Sequence, residues 1–121
     1  MAIRLQQDTG QVQGLDDNGV VLWSLKPFGF AASALLPVDG SDDGIVLCNP
    51  DEMQQGNFRN LIRISVGGGV VWRAELPAGQ ANDAYVDVHW EDRLLVAHTW
   101  SANRVVIDVD TGRISATTFT K

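Results

Sequence analysis

The sequence contains one cysteine, Cys48, and only two lysines among its 121 residues. A single cysteine cannot form an internal disulfide, and no second cysteine stands at a metal-binding spacing from it. No apolar run approaches the roughly 18 residues that a membrane helix requires. The first seven residues, MAIRLQQ, also lack the apolar centre of a secretory signal. These absences predict a cytoplasmic protein with no disulfide and no membrane contact.

Basic residues are scarce as well. Nine lysines and arginines face fifteen acidic residues, which gives a net charge of −6. Such a charge repels the phosphate backbone of DNA and RNA. Nucleic acid is therefore an unexpected ligand, and a basic protein is the partner that the charge favours.

No segment carries a sustained helical period, whereas β-rich runs alternate with short turns of Asp, Asn and Gly. Residues 1–121 are expected to form a single all-β domain. Further hairpin strands are predicted at 31–36 with 45–48 and at 84–90 with 94–100. The polar stretch 49–60 is predicted to be a long surface loop.

Three segments, 14–25, 62–76 and 105–115, repeat one pattern of strand, turn and strand. Their glycines Gly19, Gly69 and Gly112 align, with spacings of 50 and 43 residues. Turn residues of this kind tolerate positive φ, and the spacing suits a unit of about four strands. The domain is expected to hold about two and a half such repeats.

The segments Leu15–Trp23 and Ile107–Ile114 resemble the repeat of the quinoprotein-like (PQQ-type) β-propellers. In that repeat, a strand ending in Leu-Asp, a turn with Asn-Gly or Thr-Gly, and a strand ending in Trp recur once per blade. The resemblance implies antiparallel sheets of propeller-blade type, in which Trp23 and Trp72 pack against backbone of the neighbouring blade.

The middle and last copies depart from this pattern. Ser65 and Val66 stand where acidic or small turn residues are usual, and Ser115 stands where the third tryptophan is expected. Three repeats are also fewer than the four to eight blades of a closed ring. We therefore expect an incomplete ring or a sandwich-like arrangement, with a homodimer covering the open sheet edges.

No metal or cofactor site is predicted. The segment Asp39–Gly44 opens like a calcium loop, but Pro50 stands where the late acidic ligand should be. The glycines 67–69 are followed by a strand rather than a helix, so they do not form a phosphate cradle.

Two histidines offer the main candidate for catalysis. Asp87 and His89 share one face of a predicted strand, and His98 lies on the other arm of the hairpin. No nucleophile in a recognisable context accompanies them. A small hydrolase using Asp87, His89 and His98 is thus a third choice, and the expectation is that the protein is not an enzyme.

The expected function is a non-catalytic, protein-binding module. Its candidate contact residues are two tryptophans, Trp90 and Trp100, and four aspartates of acidic turns, which are Asp16, Asp17, Asp42 and Asp43. The alternative is an acidic inhibitor of immunity or antitoxin type that masks a basic toxin. Acidic turns gathered on one rim would favour that inhibitor.

Overall fold

The computed structural model describes residues 3–52, 56–79 and 82–119. In these parts the chain forms eleven β-strands and two single turns of 3₁₀ helix, at Pro27–Gly29 and Pro50–Glu52, and no α-helix. The strands are β1 (Arg4–Asp8), β2 (Gln11–Leu15), β3 (Val21–Leu25), β4 (Ala32–Pro37), β5 (Gly44–Cys48), β6 (Leu61–Ile64), β7 (Val70–Arg73), β8 (Tyr85–Glu91), β9 (Leu94–Thr99), β10 (Asn103–Ile107) and β11 (Ile114–Phe119).

The predicted all-β class is confirmed. The strands form three antiparallel sheets in sequence order: β1–β2–β3, then β4–β5–β6–β7, then β8–β9–β10–β11. We call them the first, second and third sheet. Over the described residues, none of the three closes into a barrel. No helix in these ranges is long and apolar enough to cross a membrane.

The three sheets share one plan. The turns β2–β3, β6–β7 and β10–β11 correspond, so β1 is the counterpart of β5 and β9. The first sheet has no counterpart of β4 and β8 among the described residues. Strand β1 therefore forms an open edge of the first sheet.

The glycines of these turns are Gly19, Gly68 and Gly112, with φ of 80°, 90° and 76°. The alignment through Gly69 was wrong by one residue, because the left-handed glycine of the middle turn is Gly68. In the first two turns the amide of this glycine donates a hydrogen bond to the carbonyl three residues earlier. The third turn holds one more residue, since the amide of Gly112 bonds the carbonyl of Asp108. An alignment that matches one turn glycine to another does not detect such an insertion.

The core consists of two apolar layers between the sheets. One layer packs Val12, Trp23 and Leu25 of the first sheet against Val46, Ile62 and Ile64 of the second. The other and larger layer packs the second sheet against the third, and includes Ile45, Leu61, Trp72, Tyr85, Leu95 and Val105. Strand β5 is buried along its whole length because it contributes side chains to both layers. A strand covered on both faces reads as a continuous apolar run, as Ile45 to Cys48 does.

The predicted surface loop 49–60 is wrong at its C-terminal end. Phe58 is only 7% exposed and Asn60 is fully buried. The side chain of Asn60 donates to the carbonyls of Cys48 and Tyr85 and accepts the amide of Tyr85. The polar composition of this stretch predicted exposure to solvent. Asn60 is instead buried, because its side chain joins the second sheet to the third.

Candidate functional site

The two predicted tryptophan anchors both contact the next sheet. The indole nitrogen of Trp23 donates to the carbonyl of Val66 at 2.8 Å, and that of Trp72 donates to the carbonyl of Val109 at 2.7 Å. Each ring lies over the left-handed glycine of the same turn, Gly68 or Gly112. The same contact therefore recurs at successive sheet boundaries.

The counterpart of these tryptophans in the third sheet is Ala116. Trp23 pairs with Gly14, Trp72 with Arg63, and Ala116 with Val106. These three partners occupy the same position on the strand that precedes each turn. The sequence alignment had placed Ser115 at this position. The extra residue in the β10–β11 turn shifts the alignment by one.

Five turns lie at one end of the three sheets. They are the β2–β3, β4–β5, β6–β7, β8–β9 and β10–β11 turns, because alternate connections of an antiparallel meander fall at the same end. Cross-contacts hold them together: Arg63 pairs with Asp43 at 2.8 Å, donates to Val109 and approaches Asp110. We call this end the acidic rim. It carries eight of the fifteen acidic residues, namely Asp16, Asp17, Asp39, Asp42, Asp43, Asp92, Asp108 and Asp110.

The structure thus brings together all four of the predicted acidic contact residues. Asp16, Asp17, Asp42 and Asp43 all belong to the acidic rim. They differ in what they do there. Asp16 accepts hydrogen bonds from the amides of Asn18 and Val20 within its own turn, and Asp43 is held by Arg63. Asp17 and Asp42 are exposed.

Trp90 lies at the same rim and Trp100 does not. The indole nitrogen of Trp90 donates to the carbonyl of Pro37 at 2.9 Å. The ring borders a groove of about 560 Å³, whose other lining residues include Val38, Asp39, Asp92, Arg93 and Val109. Trp100 follows β9 at the opposite end of the hairpin and is 60% exposed.

The two histidines and Asp87 do converge, on the outer face of the third sheet. Oδ2 of Asp87 lies 3.3 Å from Nδ1 of both His89 and His98. The two imidazole rings are stacked, with centroids 5.7 Å apart and planes 15° from parallel. We call Asp87, His89 and His98 the histidine cluster.

Two residues that the sequence analysis missed complete this arrangement. Oε2 of Glu91 lies 2.7 Å from Nε2 of His89, and Oε1 of Glu91 accepts a hydrogen bond from Arg104. Glu91 follows His89 by two residues and so shares its strand face, a signal that the sequence did carry. Arg104 required the β9–β10 register, which pairs it with His98.

This environment favours the charged form of His89. A ring with a carboxylate at each nitrogen can donate two hydrogen bonds only as the imidazolium. The hydrogen bond to Glu91, assisted by Asp87, therefore raises the pKa of His89, against a smaller opposing effect of burial. The same hydrogen bond, together with that from Arg104, lowers the pKa of Glu91.

In the described parts of the chain, the side chains that bond these two rings are the carboxylates of Asp87 and Glu91, and neither ring bonds a hydroxyl or thiol nucleophile. The one thiol lies elsewhere: Cys48 is fully buried beside Phe58 and Ala84, and burial raises its pKa to about 11. A thiol of this kind is protonated and unreactive at neutral pH.

Comparisons with known proteins concern the fold. The crystal structure of the computationally designed protein Ika8 is similar to this chain, with a TM-score of 0.64 at 14% sequence identity. The match covers 99% of this chain and 37% of Ika8, so the chain spans little more than a third of that protein's length. At this identity the likeness shows the fold alone.

No curated protein matches the sequence. A family model does: the one described as a domain of unknown function, DUF7957, matches residues 37–119. The matched span begins at the last residue of β4 and takes in the rest of the second sheet and the whole third sheet, with the acidic turns from Asp39 onward and the histidine cluster. Because the match covers well over half of the chain, the protein belongs to the DUF7957 family.

Proposed function

We propose that this protein is a non-catalytic binding module that docks a basic protein through its acidic rim. The observation that carries the proposal is the gathering of eight acidic residues in five adjacent turns. The basic residues at this end are Arg93 and Arg113 in the turns, and Arg4 and Arg63 on the adjoining strands. Complementary charge of this kind steers a partner to the surface and fixes its orientation. The inhibitor of a basic toxin is one form of this function, since masking a cationic site needs the same surface.

The groove beside Trp90 gives the rim a specific contact point. Its lining residues include the apolar Val38, Trp90 and Val109, and two carboxylates, Asp39 and Asp92, against one cation, Arg93. A lysine or arginine has an apolar stem and a charged head. The stem suits the apolar lining residues, and the head suits the carboxylates. We infer that a basic side chain of the partner enters this groove.

The fold plan supports a second proposal, that the three sheets are propeller blades of quinoprotein type. The contact of an indole with the carbonyl and glycine of the next turn recurs at both sheet boundaries, as the resemblance in the sequence implies. The hydrolase alternative has less support. Its three residues lie together on an open sheet face, with side chains 35% to 57% exposed.

We also propose that two copies pair through β1. This strand is almost entirely exposed and lacks a neighbour on one side among the described residues. Antiparallel pairing about Gln6 would place Arg4 of one copy opposite Asp8 of the other, twice. Opposite charges that face each other across two strands stabilise the pairing.

The rim is tested with the partner obtained by affinity capture and mass spectrometry from the source cell. We expect that partner to be basic and its association rate to fall with added salt, because the Debye length shrinks from about 30 Å at 0.01 M to about 8 Å at 0.15 M. The double variant Asp17→Asn, Asp42→Asn should slow association, since both side chains are exposed on the rim.

The control is Asp51→Asn, an exposed aspartate within the 3₁₀ turn Pro50–Glu52, outside the rim. It should leave the association rate unchanged. An association rate indifferent to salt and to the rim variant would move the contact to the apolar surface of Trp100 and Val86, which are 60% and 41% exposed.

A further inference from the structure

We propose that the histidine cluster binds one divalent transition-metal ion of the Zn²⁺ class. The ligands are Nδ1 of His89, Nδ1 of His98 and Oδ2 of Asp87. No metal site is predicted from the sequence, in which the same three residues are a candidate for catalysis. The site is independent of the acidic rim, so either proposal can fail alone.

The distances match tetrahedral coordination. Zinc binds histidine nitrogen and carboxylate oxygen at about 2.0–2.2 Å, which sets neighbouring ligand atoms roughly 3.4 Å apart in a tetrahedron. Oδ2 of Asp87 lies 3.3 Å from each of the two Nδ1 atoms. One ligand atom from each of the three residues lies within 4.8 Å of the other two. Because the two imidazole planes are only 15° from parallel, at least one ring must turn about its side-chain bonds before both Nδ1 atoms point at one ion, and the side chains are exposed enough to allow it.

Rigid elements hold the three ligands. Asp87 and His89 are two residues apart on β8, and the register pairs Asp87 with His98 on β9. The backbone of a four-stranded sheet therefore presents all three side chains on one face. A site built on strands is positioned more firmly than one built on loops.

Glu91 and Arg104 supply the outer hydrogen bonds of a metal site. A histidine that binds a metal commonly donates its other ring N–H to a carboxylate, which fixes the tautomer and the ring orientation. Nε2 of His89 does so to Glu91 at 2.7 Å, and Arg104 holds the second oxygen of Glu91. This relay leaves Nδ1 as the nitrogen of His89 that faces the ion.

The donor set selects the class of metal. Two imidazoles and one carboxylate suit Zn²⁺, Cu²⁺ or Ni²⁺, whereas Ca²⁺ and Mg²⁺ prefer oxygen ligands throughout. The exposed face leaves a fourth position to water. Without a metal, the same residues form a network in which a charged His89 lies between two carboxylates.

The test is a calorimetric titration of the untagged, EDTA-treated full chain with Zn²⁺, and with Co²⁺ followed by visible absorption. We expect one ion per chain with a dissociation constant of about 10 μM or tighter, and the absorption of tetrahedral Co²⁺. Histidine NMR should show shifts at the Nδ1 atoms of His89 and His98.

The variants separate ligands from supporting residues. His98→Gln and Asp87→Asn each remove a ligand and should weaken binding by more than Glu91→Gln, for which about tenfold to hundredfold is expected. Asp51→Asn should bind Zn²⁺ as the wild type does. Circular dichroism confirms that each variant is folded, which the exposure of these side chains favours. Absence of saturable binding, or binding unaffected by either ligand variant, would overturn the proposal and leave an ion-pair network.

Discussion

At the scale of single residues, two of the turn glycines carry a tryptophan and one does not. A Cβ on Gly112 would lie 2.7 Å from the ring of Trp72, whereas a Cβ on Gly19 would find its nearest neighbour, the end of Arg4, at 3.9 Å. Both glycines have nearly the same positive φ. The two positions therefore separate the cost of a left-handed backbone from the cost of displacing an indole.

We predict that Gly19→Ala costs only the backbone strain, about 1–2 kcal/mol. Gly112→Ala should cost about 1–3 kcal/mol more, because the methyl group forces Trp72 out of a packed layer. Denaturant titration of the two variants measures the difference in unfolding free energy. Equal losses would show that Trp72 does not rest on this turn.

The charge state of His89 gives a second prediction. In metal-free protein, NMR titration should report its pKa above the ordinary histidine value, and Glu91→Gln should lower it, because the hydrogen bond to Glu91 is the main cause of the shift. A pKa raised by folding adds stability below the pKa of the unfolded imidazole. That contribution is lost as the pH rises through the folded value. A pKa unaffected by Glu91→Gln would contradict the assigned hydrogen bond.

At the scale of elements, the side chain of Asn60 links the second and third sheets through hydrogen bonds. Its amide group makes three hydrogen bonds to backbone of Cys48 and Tyr85 in a position without solvent access. Buried backbone groups that lose their partners are costly, at about 1–3 kcal/mol each. The side chain of Asn60 thus does what a strand-to-strand hydrogen bond does within a sheet.

We predict that Asn60→Ala lowers the unfolding free energy by about 3 kcal/mol or more, since it leaves buried backbone groups unpaired. Asn18→Ala, in an exposed turn, should change it by less than about 0.5 kcal/mol. Thermal unfolding by circular dichroism compares the two. Similar melting temperatures for both variants would mean that water or a rearranged backbone replaces the buried amide.

The sequence predicted the strands and hairpins well where short-range patterns decide them. The hairpin of β8 and β9 and the turn at Asn18-Gly19 follow from local alternation and from turn residues that accept positive φ. Asn60 and Arg104 were missed because their roles depend on which sheet packs beside which, and no local pattern encodes that. The error at Ser115 arose because the β10–β11 turn holds one residue more than the other two, and the error at Gly69 arose because any of the three consecutive glycines 67–69 satisfies the turn pattern.

At the scale of the whole molecule, both outer faces of the sheet stack carry a group of interacting polar side chains. The first sheet presents Gln6, Gln11, Gln13 and Ser24, which bond one another in pairs. The third sheet presents the histidine cluster with Glu91 and Arg104. Polar outer faces are what a stack of repeats needs at its two ends. The proposed self-association through the open edge of β1 does not require these faces.

We predict that light scattering at micromolar concentration reports a mass near twice that of one chain. Arg4→Asp should shift the protein to monomer, because it sets like charges against each other at both ends of the β1 pair. The charge-swapped variant Arg4→Asp, Asp8→Arg should restore the dimer. A wild-type monomer at all concentrations, or a dimer that ignores Arg4→Asp, would exclude this pairing.

The recurring tryptophan contact gives the array a direction. Each sheet that donates an indole precedes the one that receives it, and the series stops at Ala116, where there is no ring to donate. The turn with Gly19 has the form of a receiver, yet none of the described tryptophans lies on it. The tryptophan of an engineered repeat placed before the first sheet could therefore pack on the Gly19 turn. A repeat added after the third sheet would make the same contact only if the substitution Ala116→Trp supplied the indole. The contacts thus run in one direction along the chain, from the first sheet to the second and from the second to the third.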